Sequence, residues 1–156
     1  MTHYDTLISV AELRANLGRP GWSVIDCRFD LMRPRQGRQE HAAGHIPGAH
    51  HADLERDLSG PVTPQSGRHP LPDPLCLSRT LGSWGITGDS QVVVYDQAGG
   101  AMAARLWWLL RWLGHRRVAL LDGGIDAWRR QGGELESRPP PLQALKYAGA
   151  ADAAMV

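Results

Sequence analysis

The run Gln91-Val92-Val93-Val94-Tyr95 constrains this chain more than any other segment. Consecutive β-branched residues favour an extended backbone, and an unbroken apolar run leaves neither face of the strand for water. Such a strand belongs in a parallel sheet covered on both sides. The small and polar residues Asp96, Gln97, Ala98, Gly99, Gly100 and Ala101 follow, and a helix is predicted over Ala101–Leu113. Strand, small-residue loop and helix in that order make a loop that cradles an anion against a helix N-terminus. A cysteine opening that loop would be activated by the same positive field. Asp96 stands there instead, so the segment reads as the scaffold of a thiol enzyme without its thiol.

The flanking segments repeat the alternation of strand and helix. Ser9-Val10-Ala11-Glu12 is a capping box, with Gly18 and Pro20 ending the helix it opens. Trp22–Asp26 and Val118–Asp122 read as strands, and Ala49–Ala52 as a short one after the Pro47-Gly48 turn. Asp73 caps a helix with Pro74 at its first position, Leu77, Leu81 and Trp84 on one face, and Gly85 at its end. Gly123-Gly124 turns into a helix over Ile125–Gln131. The charged stretch Arg33–Glu40 reads as a loop of low order. Pro61, Pro64, Pro70, Pro72 and Pro74 make Ser59–Pro74 a long surface loop. The order predicts an α/β fold, with a mostly parallel sheet of about five strands and helices on both faces. The Asp96–Ala101 loop then falls at the C-terminal end of a central strand, where open α/β sheets place ligands.

At 156 residues the chain has the length of one domain, here residues 1–136, followed by a linker-like tail over 137–156 that contains Pro139-Pro140-Pro141. The 17 basic and 16 acidic residues nearly cancel, which gives no reason to expect nucleic acid or an anionic membrane as partner. Arg105 and Arg111 break the longest apolar stretch, so no span across a bilayer is expected, and Met1–Val10 lacks the pattern of a signal peptide. Cys27 and Cys76 have no zinc spacing, and the adjacent His50 and His51 should point to opposite faces, so no metal and no cofactor are expected. These features together favour a reduced, cytoplasmic protein.

Four segments in order resemble the rhodanese family of sulfurtransferases: Val24-Ile25-Asp26-Cys27-Arg28, Gly44-His45-Ile46-Pro47-Gly48-Ala49, Val92-Val93-Val94-Tyr95-Asp96, and Leu121-Asp122-Gly123-Gly124-Ile125-Asp126-Ala127-Trp128. Gly67–Pro72 and Arg105–Arg111 are similar to two-domain members, the thiosulfate and 3-mercaptopyruvate sulfurtransferases. In that subgroup the N-terminal half lacks the catalytic cysteine, and Asp96 fits its pattern. The resemblance therefore implies an N-terminal half plus linker, with a second rhodanese domain beyond Val156 as partner. The whole enzyme would transfer sulfane sulfur to a thiol or cyanide through a cysteine persulfide outside this chain. A stand-alone, catalytically dead module that binds a protein or an anion is the alternative. A low-activity enzyme using Cys27 or Cys76 is a third reading, and a cysteine phosphatase is disfavoured because the loop has no nucleophile.

No catalytic residue is therefore expected within the chain. Asp96 should shape a vestigial loop by accepting from Gly99, Gly100 or nearby amides, and Gln97, Ala98, Gly99, Gly100 and Ala101 with Arg105 would form that anion loop. Arg105, on the following helix, should stand over it. Asp26 and Arg28 should tie a strand end to neighbouring loops. His45 either holds the Gly44–Gly48 turn through backbone bonds or, as the resemblance implies, handles a proton at the cleft between halves. Gly44, Pro47, Gly48, Gly123, Gly124 and Trp128 are structural candidates. Cys27 reads as a buried small hydrophobe and Cys76 as a surface thiol in the first turn of a helix.

Overall fold

The structure, a computed structural model, describes residues 2–156. In chain order it contains β1 (Leu7–Ile8), α1 (Val10–Asn16), β2 (Trp22–Asp26), α2 (Gln36–Ala43), β3 (His50–His51), α3 (Pro74–Ser83), β4 (Gln91–Tyr95), α4 (Ala103–Trp112), β5 (Val118–Leu121) and α5 (Gly124–Arg130). A single 3-10 turn, Ala153–Met155, lies near the C-terminus. The strands form one sheet in the order β1-β5-β4-β2-β3, and every neighbouring pair is parallel. β4 is central, all five of its residues are buried, and Val93 lies opposite Val24 on β2 and Ala119 on β5.

The alternation of side chains along the strands splits the interior in two. Ile25, Val92 and Val94 face α3 and α4, packing with Leu77, Leu81, Leu106, Leu109 and Leu110. Val24, Val93, Tyr95 and Ala119 face the other way, with Leu13 of α1 and Ile125 and Trp128 of α5. Each valine removed from water contributes about 1.5–3 kcal/mol, so the central strand holds both layers. Helices α1 and α3 begin where their caps stand. Ser9 and Glu12 form both bonds of the capping box. The Asp73 carboxylate accepts from the Leu75 and Cys76 amides, with Pro74 in the first turn.

Arg33–Glu40 departs from its expected low order, because α2 begins at Gln36 and runs to Ala43. Its sequence carries no apolar period, and only Gly37 is buried. Tertiary contacts fix it instead. Gly37 lies against the Arg28 carbonyl so closely that a Cβ would overlap it. The His41 ring Nε2 donates to the Ala49 carbonyl at 2.6 Å.

The segment from Ser137 onward is extended, as its prolines dictate, but it is packed against the domain. The Gln143 amide donates to Ser83 and the Asp152 amide to Trp112, both at 2.9 Å, and Tyr147 is buried. Among the described residues no helix is long and apolar enough to cross a membrane.

Candidate functional site

At the C-terminal end of β4 the chain turns through Asp96–Met102 into α4. Gly99 and Gly100 adopt positive φ, 66° and 96°, which folds the loop back and turns its amides inward. The Asp96 side chain fills the resulting cradle. Oδ1 accepts from Ala98 at 2.8 Å and Gly100 at 3.0 Å, and Oδ2 from Met102 at 2.8 Å and Ala103 at 2.7 Å. Gly99, also named as a partner from sequence, makes no bond to it. The carboxylate is 1% exposed and takes donors in the two directions of each oxygen. Four backbone amides converge on one point, and the protein's own carboxylate occupies it.

The neighbouring strand end is held by ion pairing. Arg28, 2% exposed, reaches back to Asp26 with Nε at 3.0 Å and a terminal nitrogen at 2.6 Å, and donates to the Gly44 carbonyl at 2.7 Å. Tyr95 closes the group: its hydroxyl donates to Asp26 at 3.0 Å and accepts from the Ile46 amide at 3.2 Å. Burial, then the Asp26 charge, pushes the Tyr95 hydroxyl well above the ordinary tyrosine range. His45 is fully buried, its Nδ1 donating to the His41 carbonyl at 2.8 Å and its ring stacked on that of His41 at 4.0 Å. Its Nε2 has no hydrogen-bond partner and lies 3.7 Å from Glu136.

This arrangement matches known proteins along almost its whole length. The model of the rhodanese-like domain covers residues 9–131. The chain belongs to the rhodanese family. It is 49% identical over 152 residues to a Pseudomonas aeruginosa protein named "Probable 3-mercaptopyruvate sulfurtransferase", an alignment covering 96% of this chain and 54% of that one. It is 35% identical over 144 residues to thiosulfate sulfurtransferase of Bos taurus, covering 87% and 47%. Among solved structures it is similar to 3-mercaptopyruvate sulfurtransferase from Leishmania major, with TM-score 0.83, 30% identity and coverage of 95% and 41%. It is also similar to SseA from Escherichia coli, a 3-mercaptopyruvate sulfurtransferase, with TM-score 0.81, 29% identity and coverage of 96% and 56%. The rhodanese domain described here spans about half the length of the curated relatives it matches.

Other residues of the rhodanese motifs have local reasons. Gly124, at φ 60°, lets the β5–α5 turn pass so close to the Asp96 carbonyl that a Cβ would overlap it, and the Ile125 amide donates there at 3.1 Å. The Gly44–Gly48 turn is closed by the Ala49 amide donating to Ile46, and Gly48 adopts φ 83°. The Trp128 indole donates to Glu134 at 2.8 Å. Gln97 is exposed and bonds the Phe29 carbonyl, joining the loops after β4 and β2. Ala101 is exposed and, unlike its neighbours Gly100 and Met102, makes no bond to Asp96.

Arg105 departs from its expected place over the Asp96 loop. Its guanidinium donates to Leu58 at 2.9 Å, His69 at 3.1 Å and Pro70 at 3.0 Å. The proline-rich loop is poor in N–H groups, and its inward carbonyls draw the nearest charged donor. Cys27 is 2% exposed, and burial, then the nearby Asp26 and Asp96, push its thiol well above the ordinary range. Cys76 is exposed. His50 stacks on Trp84 and His51 turns the other way, to the Arg28 carbonyl. Two concavities, of about 590 and 510 Å³, include Gly21 and Trp22 at the opposite end of the strands and are not lined by the Asp96 loop.

Tyr95, His41, Gly37 and Glu136 were not singled out from sequence as site residues. Tyr95 read as a buried strand residue, and its hydroxyl link to Asp26 joins residues 69 apart. Glu136 exchanges two backbone bonds with His45, both 2.9 Å, and accepts from the Gly48 amide at 2.8 Å. No local pattern signals either contact.

Proposed function

We propose that this chain is the non-catalytic rhodanese half of a two-domain sulfurtransferase. The whole protein would move sulfane sulfur from thiosulfate or 3-mercaptopyruvate to a thiol or cyanide, with the persulfide formed on a cysteine of a second rhodanese domain. The observation that carries this reading is the filled cradle. Asp96 uses the four amides that would stabilise an anionic nucleophile or donor, and a carboxylate does not accept sulfane sulfur. The buried Cys27 thiol offers no replacement, since its environment opposes the thiolate. The half-length coverage of relatives named as thiosulfate and 3-mercaptopyruvate sulfurtransferases supports a second domain and this pair of donors.

The test is sulfur transfer by the purified chain, with each donor and cyanide as acceptor, beside Cys27→Ala and Cys76→Ala. No turnover above the uncatalysed background is expected for any of the three. Turnover abolished by one cysteine substitution would overturn the proposal and identify that cysteine as the sulfur carrier.

A further inference from the structure

The tail is seated by features built into the helices beneath it. Leu145 crosses α3 at Gly82, where its carbonyl occupies the space a Cβ would need. The next residue of α3, Ser83, receives the Gln143 amide through its carbonyl. Tyr147, 6% exposed, inserts beside His115, with ring centroids 5.8 Å apart. Gly149 lies against Leu113 and the Tyr147 ring, and the Asp152 amide donates to Trp112 at 2.9 Å. Residues 143–155 thus bridge the ends of α3 and α4. By contrast, Ser137–Leu142 donates no backbone or side-chain hydrogen bond among the described residues, and three of its residues are consecutive prolines. Upstream of that span the chain is fixed by Glu136 at the His45–Gly48 turn.

The seat is also imperfect in a particular way. Ser78 and Trp112 both meet the tail, Ser78 in a crevice of about 240 Å³ shared with Leu145 and Tyr147, Trp112 through its bond to Asp152. Each has a buried side-chain donor without a partner among the described residues, Ser78 Oγ and Trp112 Nε1. A hydroxyl that finds no protein partner while the tail is docked, and is freed to solvent when the tail lifts, favours the open form.

We infer that residues 143–155 form a releasable strap, which lifts as one unit from α3 and α4 about the proline span while the sheet stays folded. It is a conformational device independent of the sulfur-transfer reading, since its hydrogen bonds go to Ser83 and Trp112 and not to the Asp96 loop. Opening uncovers the Ser78–Gly82 side of α3 and the Leu113 end of α4.

Native-state hydrogen exchange of the full chain tests this. The Gln143 and Asp152 amides are expected to exchange together, at least about 100-fold faster than the Val93 and Val94 amides, as a sub-global opening. Ser78→Ala removes the unpartnered hydroxyl and is expected to slow strap exchange about tenfold while leaving β4 unchanged. Gly82→Ala, which fills the place of the Leu145 carbonyl, is expected to abolish strap protection. Retained β4 protection in that variant certifies that the domain is folded, and Tyr147→Ala supplies the same readout without touching α3. Strap and β4 amides exchanging at one common rate, or a Ser78→Ala strap that opens no more slowly than the parent, would overturn the inference.

Discussion

Replacing Asp96 by alanine tests whether the carboxylate holds the cradle in place of a bound anion. The substitution removes four hydrogen bonds of 2.7–3.0 Å to backbone amides. Bonds to a charged acceptor are individually worth about 1.5–3 kcal/mol net, but the loss is not four times that. Ala98 is exposed and Gly100 and Met102 are partly so, and water can return to their amides. Ala103 is 1% exposed, and its amide stays dry in the first turn of α4. Allowing about 0.5 kcal/mol for each rehydrated amide and about 2 for the buried one gives roughly 3–4 kcal/mol. For a domain of this size that lowers the melting temperature by roughly 10 °C.

The emptied cradle should then accept an anion that the parent refuses. Sulfate at ten times its dissociation constant would return about 1.4 kcal/mol by mass action. Sulfate also stabilises folded proteins without binding, so the decisive quantity is the difference between variant and parent across a sulfate titration at constant ionic strength. Calorimetric melting of both proteins reads it directly. Asp96→Ala melting within about 2 °C of the parent, or equal sulfate gains in the two proteins, would refute the cradle argument.

Three further perturbations probe the supports of the site. Gly37→Ala puts a methyl into the Arg28 carbonyl, so α2 must move off the segment that follows β2; a loss of more than about 3 kcal/mol in urea unfolding is expected, whereas exposed Gly67→Ala should fall within about 0.5. Arg105→Ala leaves the Leu58, His69 and Pro70 carbonyls without their donor, and cleavage between residues 58 and 72 under limited proteolysis should accelerate while α4 remains helical by circular dichroism. His50 is held neutral, its pKa lowered from 6.5 to about 4 by burial, then by His41 and His45. The unfolded chain therefore binds more protons between those values, and stability falls as pH drops through that window. Solvent screening reduces the effect to about 1–2 kcal/mol between pH 7.5 and 5, which His50→Phe should diminish in a pH series of urea unfolding.

What was legible in the sequence was whatever is encoded locally. The Val92–Val94 run placed β4 at the centre because an unbroken apolar strand has only one stable home. Ser9 with Glu12, and Asp73 with Pro74, placed helix starts because a cap satisfies amides two or three residues away. Asp96 was recognisable as an acceptor for the amides of its own loop, since loop and helix are contiguous with it. Where partners lie far along the chain, the local pattern misled. Arg105 was expected over its own preceding loop because helix geometry aims it there; carbonyls 35 to 47 residues away compete more strongly, since they sit in a loop short of donors. Gln36–Ala43 has no apolar stripe, so its helix is legible only once the Arg28 carbonyl is seen against Gly37. The tail carries the composition of a linker, yet Gly82 in α3, not any residue of the tail, gives Leu145 its seat. A glycine inside a helix costs about 1 kcal/mol relative to alanine, and here that cost makes room for a backbone that approaches from 63 residues downstream. Helix-interior glycines are thus the sequence signal through which such long-range seats can be sought, with the crossing segment supplied by the fold.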